Sequence, residues 1–278
     1  MDRATAPAGV AGLARPVALP ALTVGRVRAL TVAITLVAWE LLARSGWFYR
    51  DVVPSIVRVL AAIAREVMRR ELYWHAGVTF AEVSVGFVAG ALVGVGLGIL
   101  FGARRFLGRA VDPYINAIGS TPKVVFLPIL FLMFGVGIES KMAKGALSTF
   151  FPVVVSTTAG MLAINHVWLR VGRSFRLTPW QMVAKVYLPA MVRPVVTGMR
   201  LGLGVGIIGV LVAEIKYANA GVGFLAIQYY TQFRIDQMYA MLIIIFVLAA
   251  LANVGMSRLT GRFYWDGGRP PRSQPDEA

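Results

Sequence analysis

Several runs of about twenty residues in this chain carry one charge or none, the length at which a helix crosses a hydrocarbon core of about 30 Å. Inside such a core backbone N–H and C=O groups find no water, so each run must pair them within itself, which a single segment achieves only as a helix. The expectation is an all-α, polytopic membrane protein with about six transmembrane helices. Composition agrees, since 58% of the 278 residues are hydrophobic and 15% charged, whereas soluble domains carry about a quarter charged.

The six expected spans run roughly Ala29–Trp47, Val78–Ala103, a broken segment from Asp112 to Ile138, Ala143–Ala163, Pro194–Ile215 and Met238–Ser257. In the first, Glu40 and Arg44 stand one helical turn apart, and pairing would soften the burial of both. Between the first two spans, residues 55–70 alternate Ile56, Val59, Leu60, Ile63 and Val67 with Arg58, Arg65, Glu66 and Arg69 at helical spacing, the pattern of an amphipathic helix lying on the membrane surface. The third segment opens at Asp112-Pro113, is interrupted at Ser120-Thr121-Pro122-Lys123 and resumes with Pro128 inside it; proline removes a donor and disfavours helix in the residue before it, so a kink is predicted.

Glycines mark two spans. Gly86, Gly90, Gly94, Gly98 and Gly102 follow one another every four residues in the second, and Gly198, Gly202 and Gly206 repeat the pattern in the fifth. A stripe of that kind implies a neighbouring backbone in close approach.

The net charge of +15 does not point to nucleic acid, because the basic residues sit in short clusters between apolar runs, where anionic lipid and the positive-inside rule account for them. Placing Arg3, Arg15, Arg26, Arg28, the cluster Arg104, Arg105 and Arg109, and the tail residues Arg258, Arg262, Arg269 and Arg272 inside predicts that both termini are cytoplasmic. Residues 1–28 and 261–278 read as flexible tails around a membrane domain at 29–260. The absence of Cys, two distant histidines (His75 and His166) and the lack of a Gly-x-x-x-x-Gly-Lys-Ser/Thr loop leave no catalytic set, metal site or cofactor to expect, so nucleotide must be bound elsewhere.

The stretch 163–193 carries Arg170, Arg173, Arg176, Lys185 and Arg193 and no acid. Thr178-Pro179-Trp180-Gln181 is a helix start with an N-cap Thr, Pro at the first position and Gln closing a capping box. Trp180, Val183, Ala184 and Tyr187 share one face, Pro189 is expected to end the helix, and an earlier short helix is expected from His166 to Phe175. Such a pair suits docking into a groove on a soluble partner, or rest on lipid. Three charged residues sit inside or beside spans. Glu82 reads as snorkelling, ion-paired or part of a pathway; Glu214, beside Lys216, as a pathway or outer-gate residue; Lys123, at the helix break, as an attractor of anions or half of a structural pair.

A series of markers runs in order from about Val53-Pro54-Ser55 to Gly261: Thr79-Phe80-Ala81-Glu82-Val83 with Gly86-Phe87, Pro122-Lys123 to Pro128, Phe134-Gly135-Val136-Gly137 with Ser140-Lys141, Phe150-Phe151-Pro152, Leu188-Pro189, Val212-Ala213-Glu214 and Gly221-Val222-Gly223-Phe224. Together they resemble the permease subunits of binding-protein-dependent ABC importers, nearest to the nitrate, sulfonate, taurine and pyrimidine-precursor group. The resemblance implies a type I importer permease core in the cell inner membrane and no enzyme activity of its own. Two permease chains, here a homodimer, would form the pathway; two ATPase subunits would bind the loop; a periplasmic or lipid-anchored binding protein would deliver a small anion or a pyrimidine precursor. It places ATPase contact on Arg170, Val171, Gly172, Arg173, Arg176, Thr178, Pro179, Trp180, Leu188 and Pro189. Where the family's loop reads Glu-Ala-Ala and then Gly, this chain has Arg170-Val171-Gly172 and Arg176, which leaves open a compensating acidic surface on the ATPase or weaker coupling. The competing class, an ion-coupled secondary transporter, would want coupling acids at mid-membrane and commonly an internal two-fold repeat; the halves show no such repeat.

Overall fold

The computed structural model describes residues 23–47 and 52–261, so most of each expected tail lies outside the described residues. Regular structure among them is entirely helical. Residues up to Ile56 form one compact unit and those from Val57 another.

The first unit holds α1 (Val24–Arg44). The expected pair forms: Glu40 Oε1 accepts from Arg44 Nε at 2.7 Å, while Oε2 accepts from the Ile56 backbone N–H at 3.0 Å. Trp39 Nε1 donates to the Pro54 carbonyl at 3.0 Å, so the chain after α1 folds back along it.

In the second unit, α2 (Ile56–Val67) buries Val59, Ala62 and Glu66 on one face and leaves Val57 and Leu60 exposed. Glu66 accepts from the Tyr229 hydroxyl at 2.8 Å, with Arg69 beside it at 3.3 Å. Burial, and next the bond to Glu66, push the Tyr229 phenol up to about 12. Helix α3 (Arg70–Ala103) follows, then α4 (Arg105–Ser120). Asp112-Pro113 lies inside α4 and does not open it; the break falls at Thr121-Pro122, where Thr121 is extended as a residue before proline should be. A single 3-10 turn (Lys123–Phe126) and α5 (Leu127–Phe134) continue at 92° to α4, which is the predicted kink in sharper form.

Helix α6 (Ile138–Leu162) is the centre of the unit, flanked by α3 and by α9 (Leu188–Tyr217). Along α3 the glycine stripe meets α6 in step: a Cβ at Gly86 would stand 2.7 Å from the Met142 carbonyl oxygen, one at Gly94 2.9 Å from Val153 Cβ, and one at Gly98 3.0 Å from the Val154 carbonyl oxygen. Both residue numbers rise together, so α3 and α6 run parallel at near backbone contact. On the other side Gly198 meets Ser156, Gly202 meets Thr149 and Gly206 faces Thr149, an antiparallel seam. Thr149 Oγ1 donates to the Gly202 carbonyl at 3.1 Å across it.

Pro189 does not end a helix. After α7 (His166–Ser174) and the short α8 (Pro179–Met182), a π-helical turn at Val183–Tyr187 leads directly into α9, and Pro179–Tyr217 reads as one helix of 39 residues. Leu188 N–H bonds to Val183 O, five residues back. The wider turn relieves the clash that a proline ring makes with the carbonyl four residues before it. The fifth span thus begins well before Pro194. Helix α10 (Val222–Thr231) folds back over the end of α9, and α11 (Ile235–Gly261) closes the chain.

By length and composition, four helices among the described residues can cross a membrane, Arg70–Ala103, Ile138–Leu162, Pro179–Tyr217 and Ile235–Gly261, and a fifth crossing arises if the bent pair Phe106–Ser120 and Lys123–Phe134 is one span. Helix α1 is not among them because every 18-residue stretch of it holds three of Arg26, Arg28, Glu40 and Arg44.

Candidate functional site

Two regions concentrate chemistry, an exposed elbow between α6 and α9 and a buried polar group at the opposite ends of α3 and α9.

The elbow is rigid because each of its ends is capped. Asn165 Oδ1 accepts from Val167 N–H at 2.9 Å and starts α7. The end of α7 is a Schellman turn: Arg176 N–H bonds to the Arg173 carbonyl at 2.9 Å and Leu177 N–H to the Gly172 carbonyl at 3.1 Å. That geometry needs a left-handed residue, and Arg176 supplies it at φ 50°. Arg176, where the resemblance expects a glycine, thus takes up a left-handed backbone of the kind glycine favours. Gly172 is buried, and a Cβ there would stand 2.8 Å from the Met182 thioether sulfur, so its small size lets α7 lie on α8. Thr178 caps α8 as the sequence predicted, with Gln181 N–H donating to Thr178 Oγ1 at 3.3 Å and Thr178 N–H to Gln181 Oε1 at 3.0 Å. The base of the elbow is anchored by Met161, Ile164 and Met191, against which Leu169 and Tyr187 pack. What remains outside is an apolar ridge of Trp168, Val171, Phe175, Trp180 and Leu188 among the exposed Arg170, Arg173 and Arg176. Pro179 and Pro189 bound that ridge as helix-entry and through-helix prolines.

At the other end, α10 is pinned by its first N–H groups. Gly221 N–H donates to His75 Nδ1 at 3.0 Å, Val222 N–H to Thr79 Oγ1 at 2.9 Å, and Gly223 N–H to Glu214 Oε2 at 2.7 Å. Thr79 passes its own hydrogen to Glu214 Oε1 at 2.5 Å. Gly221 sits at φ +110°, which side chains rarely allow. Glu82 and Glu214 are both 0% exposed, so Glu82 does not snorkel to an interface. No N–H or O–H donor among the described residues is directed at Glu82; its carboxyl lies against that of Glu214, within hydrogen-bonding reach when one of the two is protonated, with Lys141 nearby. Lys141 in turn donates to the Val136 and Gly137 carbonyls, each at 3.1 Å. Lys123 is separate from this group: its ammonium bonds to the Gly119 carbonyl and lies 5.2 Å from the Phe151 ring centroid. Sequence reasoning singled out Glu82, Glu214 and Lys123 but passed over Thr79, His75, Lys141 and Lys144 as contributors. Two lysines within one apolar helix were the available signal, because charge inside a span is rarely idle.

A multi-pass bundle with glycine-tight helices, a broken helix and a capped, basic elbow defines a membrane transport component. The chain belongs to the family of binding-protein-dependent transport system inner membrane components, whose match covers residues 86–263, and it is a permease subunit of that importer class. It is 28% identical over 237 residues to a probable ABC transporter permease protein of Haemophilus influenzae, covering 85% of this chain and 96% of that one. A putative aliphatic sulfonates transport permease protein, SsuC of Bacillus subtilis, is 27% identical over 221 residues, 80% of each chain. Among solved structures, the inward-facing MetNI methionine ABC transporter aligns with a TM-score of 0.64 at 20% identity over 72% of this chain and 99% of that chain, a likeness of fold.

Proposed function

We propose that this chain, paired with a second copy in the inner membrane, forms the pathway of an ATP-driven importer whose ATP hydrolysis takes place on two partner ATPase subunits. Residues 163–193 are the coupling element, with Arg170, Val171, Gly172, Arg173, Arg176, Thr178, Pro179, Trp180, Leu188 and Pro189 meeting the ATPase. The elbow carries this reading: it is capped at each turn, exposes Trp180 and Phe175 at 78% each, and runs through the π-turn into α9 without a joint, so a push on it moves a membrane helix. Both termini lie in the cytoplasm in this reading, which takes α1 across the membrane as a sixth span with Arg26 and Arg28 at one end and the Glu40–Arg44 pair at the other; residues 29–260 make the permease domain between two tails, and residues 55–70 rest on lipid at the outer surface. A periplasmic or lipid-anchored binding protein hands over the cargo, a small anion of the nitrate, sulfonate or taurine kind or a pyrimidine precursor, and Glu82, Glu214 and Lys123 border its route. The glycines 86, 90, 94, 98, 198, 202 and 206 let the helices slide as packed units.

The test is uptake into vesicles containing the chain together with a candidate ATPase and binding protein from the same cell. Uptake should stop when ATP is withheld even with an ion gradient imposed, and the ATPase should co-purify in detergent. Uptake that persisted on the gradient alone would overturn the proposal in favour of an ion-coupled secondary transporter.

A further inference from the structure

Neither carboxyl oxygen of Glu82 adjoins a water-sized space, and no N–H or O–H among the described residues is directed at it. Its place is fixed from two sides. Its backbone lies in the α3–α6 seam, where a Cβ on Gly145 would stand 3.9 Å from the Glu82 carbonyl oxygen. One turn earlier on the same face of α3, Thr79 donates to Glu214 Oε1 at 2.5 Å, which brings the Glu82 carboxyl against that of Glu214. Glu214 is differently supplied. Thr79 serves its Oε1, the Gly223 N–H serves its Oε2 at 2.7 Å, and a Cβ on Gly221 would fall on its carboxyl.

The elements packed around this pair bring one opposite charge. Helix α6 contributes Lys141, 4% exposed, which also donates to the Val136 and Gly137 carbonyls, while Lys144 further along bonds to Ser148. Helix α10 carries no Asp, Glu, Lys, Arg or His, and its Tyr229 gives its hydroxyl to Glu66. On α9 Lys216 is exposed, as is Glu71 on α3. His75 receives the Gly221 N–H at Nδ1, so that nitrogen holds no proton and the ring is neutral. Two carboxylates against one ammonium would enclose a net negative charge, with no donor for Glu82 to offset its burial. One proton brings the sum to zero, and two buried carboxyls side by side share a proton for that reason. Glu214 already has a donor on each oxygen and Glu82 has none, so the proton belongs on Glu82.

We propose that Glu82 and Glu214 form a proton-binding site, in which Glu82 is a carboxylic acid at neutral pH and donates its O–H to the Glu214 carboxylate. The ligand is a proton and not a metal ion, because nothing larger has room beside the Glu82 oxygens. Through Glu214, which holds the first turn of α10 at Gly223, the proton ties α3 to α10. A rise in pH that removes it sets two negative charges against each other beneath α10 and loosens that tie. The site stands whether or not ATP drives transport.

The test is infrared spectroscopy of the purified full-length chain in detergent, native minus Glu82→Gln, at neutral pH. The native chain should show a carboxylic-acid C=O band that shifts in D2O, bleaches to carboxylate at alkaline pH and is missing from the variant. Glu82→Met, which also holds no proton, carries the same comparison if Glu82→Gln does not fold. Thermal unfolding against pH is the second readout. An unfolded glutamate has released its proton above about pH 4.3, so from there until the fold gives up its own, the folded chain holds one proton more. The native chain should therefore lose stability as pH rises, by up to about tenfold in the folding equilibrium per pH unit beyond any loss in Glu82→Gln. Identical infrared spectra in the two chains, or melting curves that run parallel with pH, would overturn the site. Saturable stabilisation of the native chain by Na+ at constant chloride, absent in Glu82→Gln, would put a metal cation where the proton is placed and overturn it too. These measurements use neither ATP nor partners, so a failure of ATP-driven uptake would leave them standing.

Discussion

Two alanine substitutions on one helix should act in opposite directions. A Cβ at Gly86 would stand 2.7 Å from the Met142 carbonyl oxygen, 3.1 Å from Ala146 N and 3.2 Å from Gly145 Cα. All three are backbone, so no rotamer change makes room and α3 must move away from α6. Overpacking of this kind costs about 1–3 kcal/mol, and alanine's helix preference returns about 1 kcal/mol, so Gly86→Ala should destabilise by up to about 2 kcal/mol after that offset. Gly96 lies on the outer face of the same helix with nothing within 4 Å of its would-be Cβ. There only the preference acts, and Gly96→Ala should stabilise by about 0.5–1 kcal/mol. Thermal unfolding of the two variants in detergent, followed by fluorescence-detected size exclusion, should separate them by about 2–12 °C, with Gly86→Ala the lower. If Gly86→Ala melted with or above Gly96→Ala, the parallel glycine seam between α3 and α6 would be wrong.

Three further outcomes follow from particular contacts. Trp180→Ala should abolish co-purification of the ATPase while the amount of chain inserted in the membrane stays at the native level; normal capture would remove Trp180 from the coupling surface. Arg176→Gly should be neutral to stabilising by up to about 1 kcal/mol, because the left-handed position is relieved, and Arg176→Val should cost about 1 kcal/mol or more; unfolding measurements that reversed this order would contradict the Schellman turn. Tyr229 has its phenol raised from 10.0 to about 12, so the stability it contributes is fully present below pH 10 and is lost as pH climbs through 12. In Glu66→Gln that alkaline loss should shrink, and an unfolding curve identical to the native one between pH 10 and 12 would sever the link.

What could be read from the chain alone follows the range of the interactions. The glycine stripes, the kink at Pro122 and the Thr178 capping box are local patterns, each decided by residues within a turn or two, and each forms. Pro189 misled because its effect depends on the register of the preceding turn, and a π-turn at Val183–Tyr187 is not written in any residue type. The left-handed Arg176 was hidden for the same reason, although the family's glycine at that position was a hint. Glu214 read as an end-of-span charge because the cover over it comes from the start of α10 at Gly221 and Gly223 and from Thr79, which is far from it in sequence. Lys144 escaped notice at the head of its span, although Lys141 and Lys144 three residues apart on one apolar helix were a signal.

The account stands or falls on which side of the membrane the elbow occupies. The chain has no cysteine, so Trp180→Cys introduces a unique thiol. A membrane-impermeant maleimide should leave that thiol unlabelled in intact cells and label it in inside-out vesicles. Labelling in intact cells would put the elbow outside, where no cytoplasmic motor could reach it.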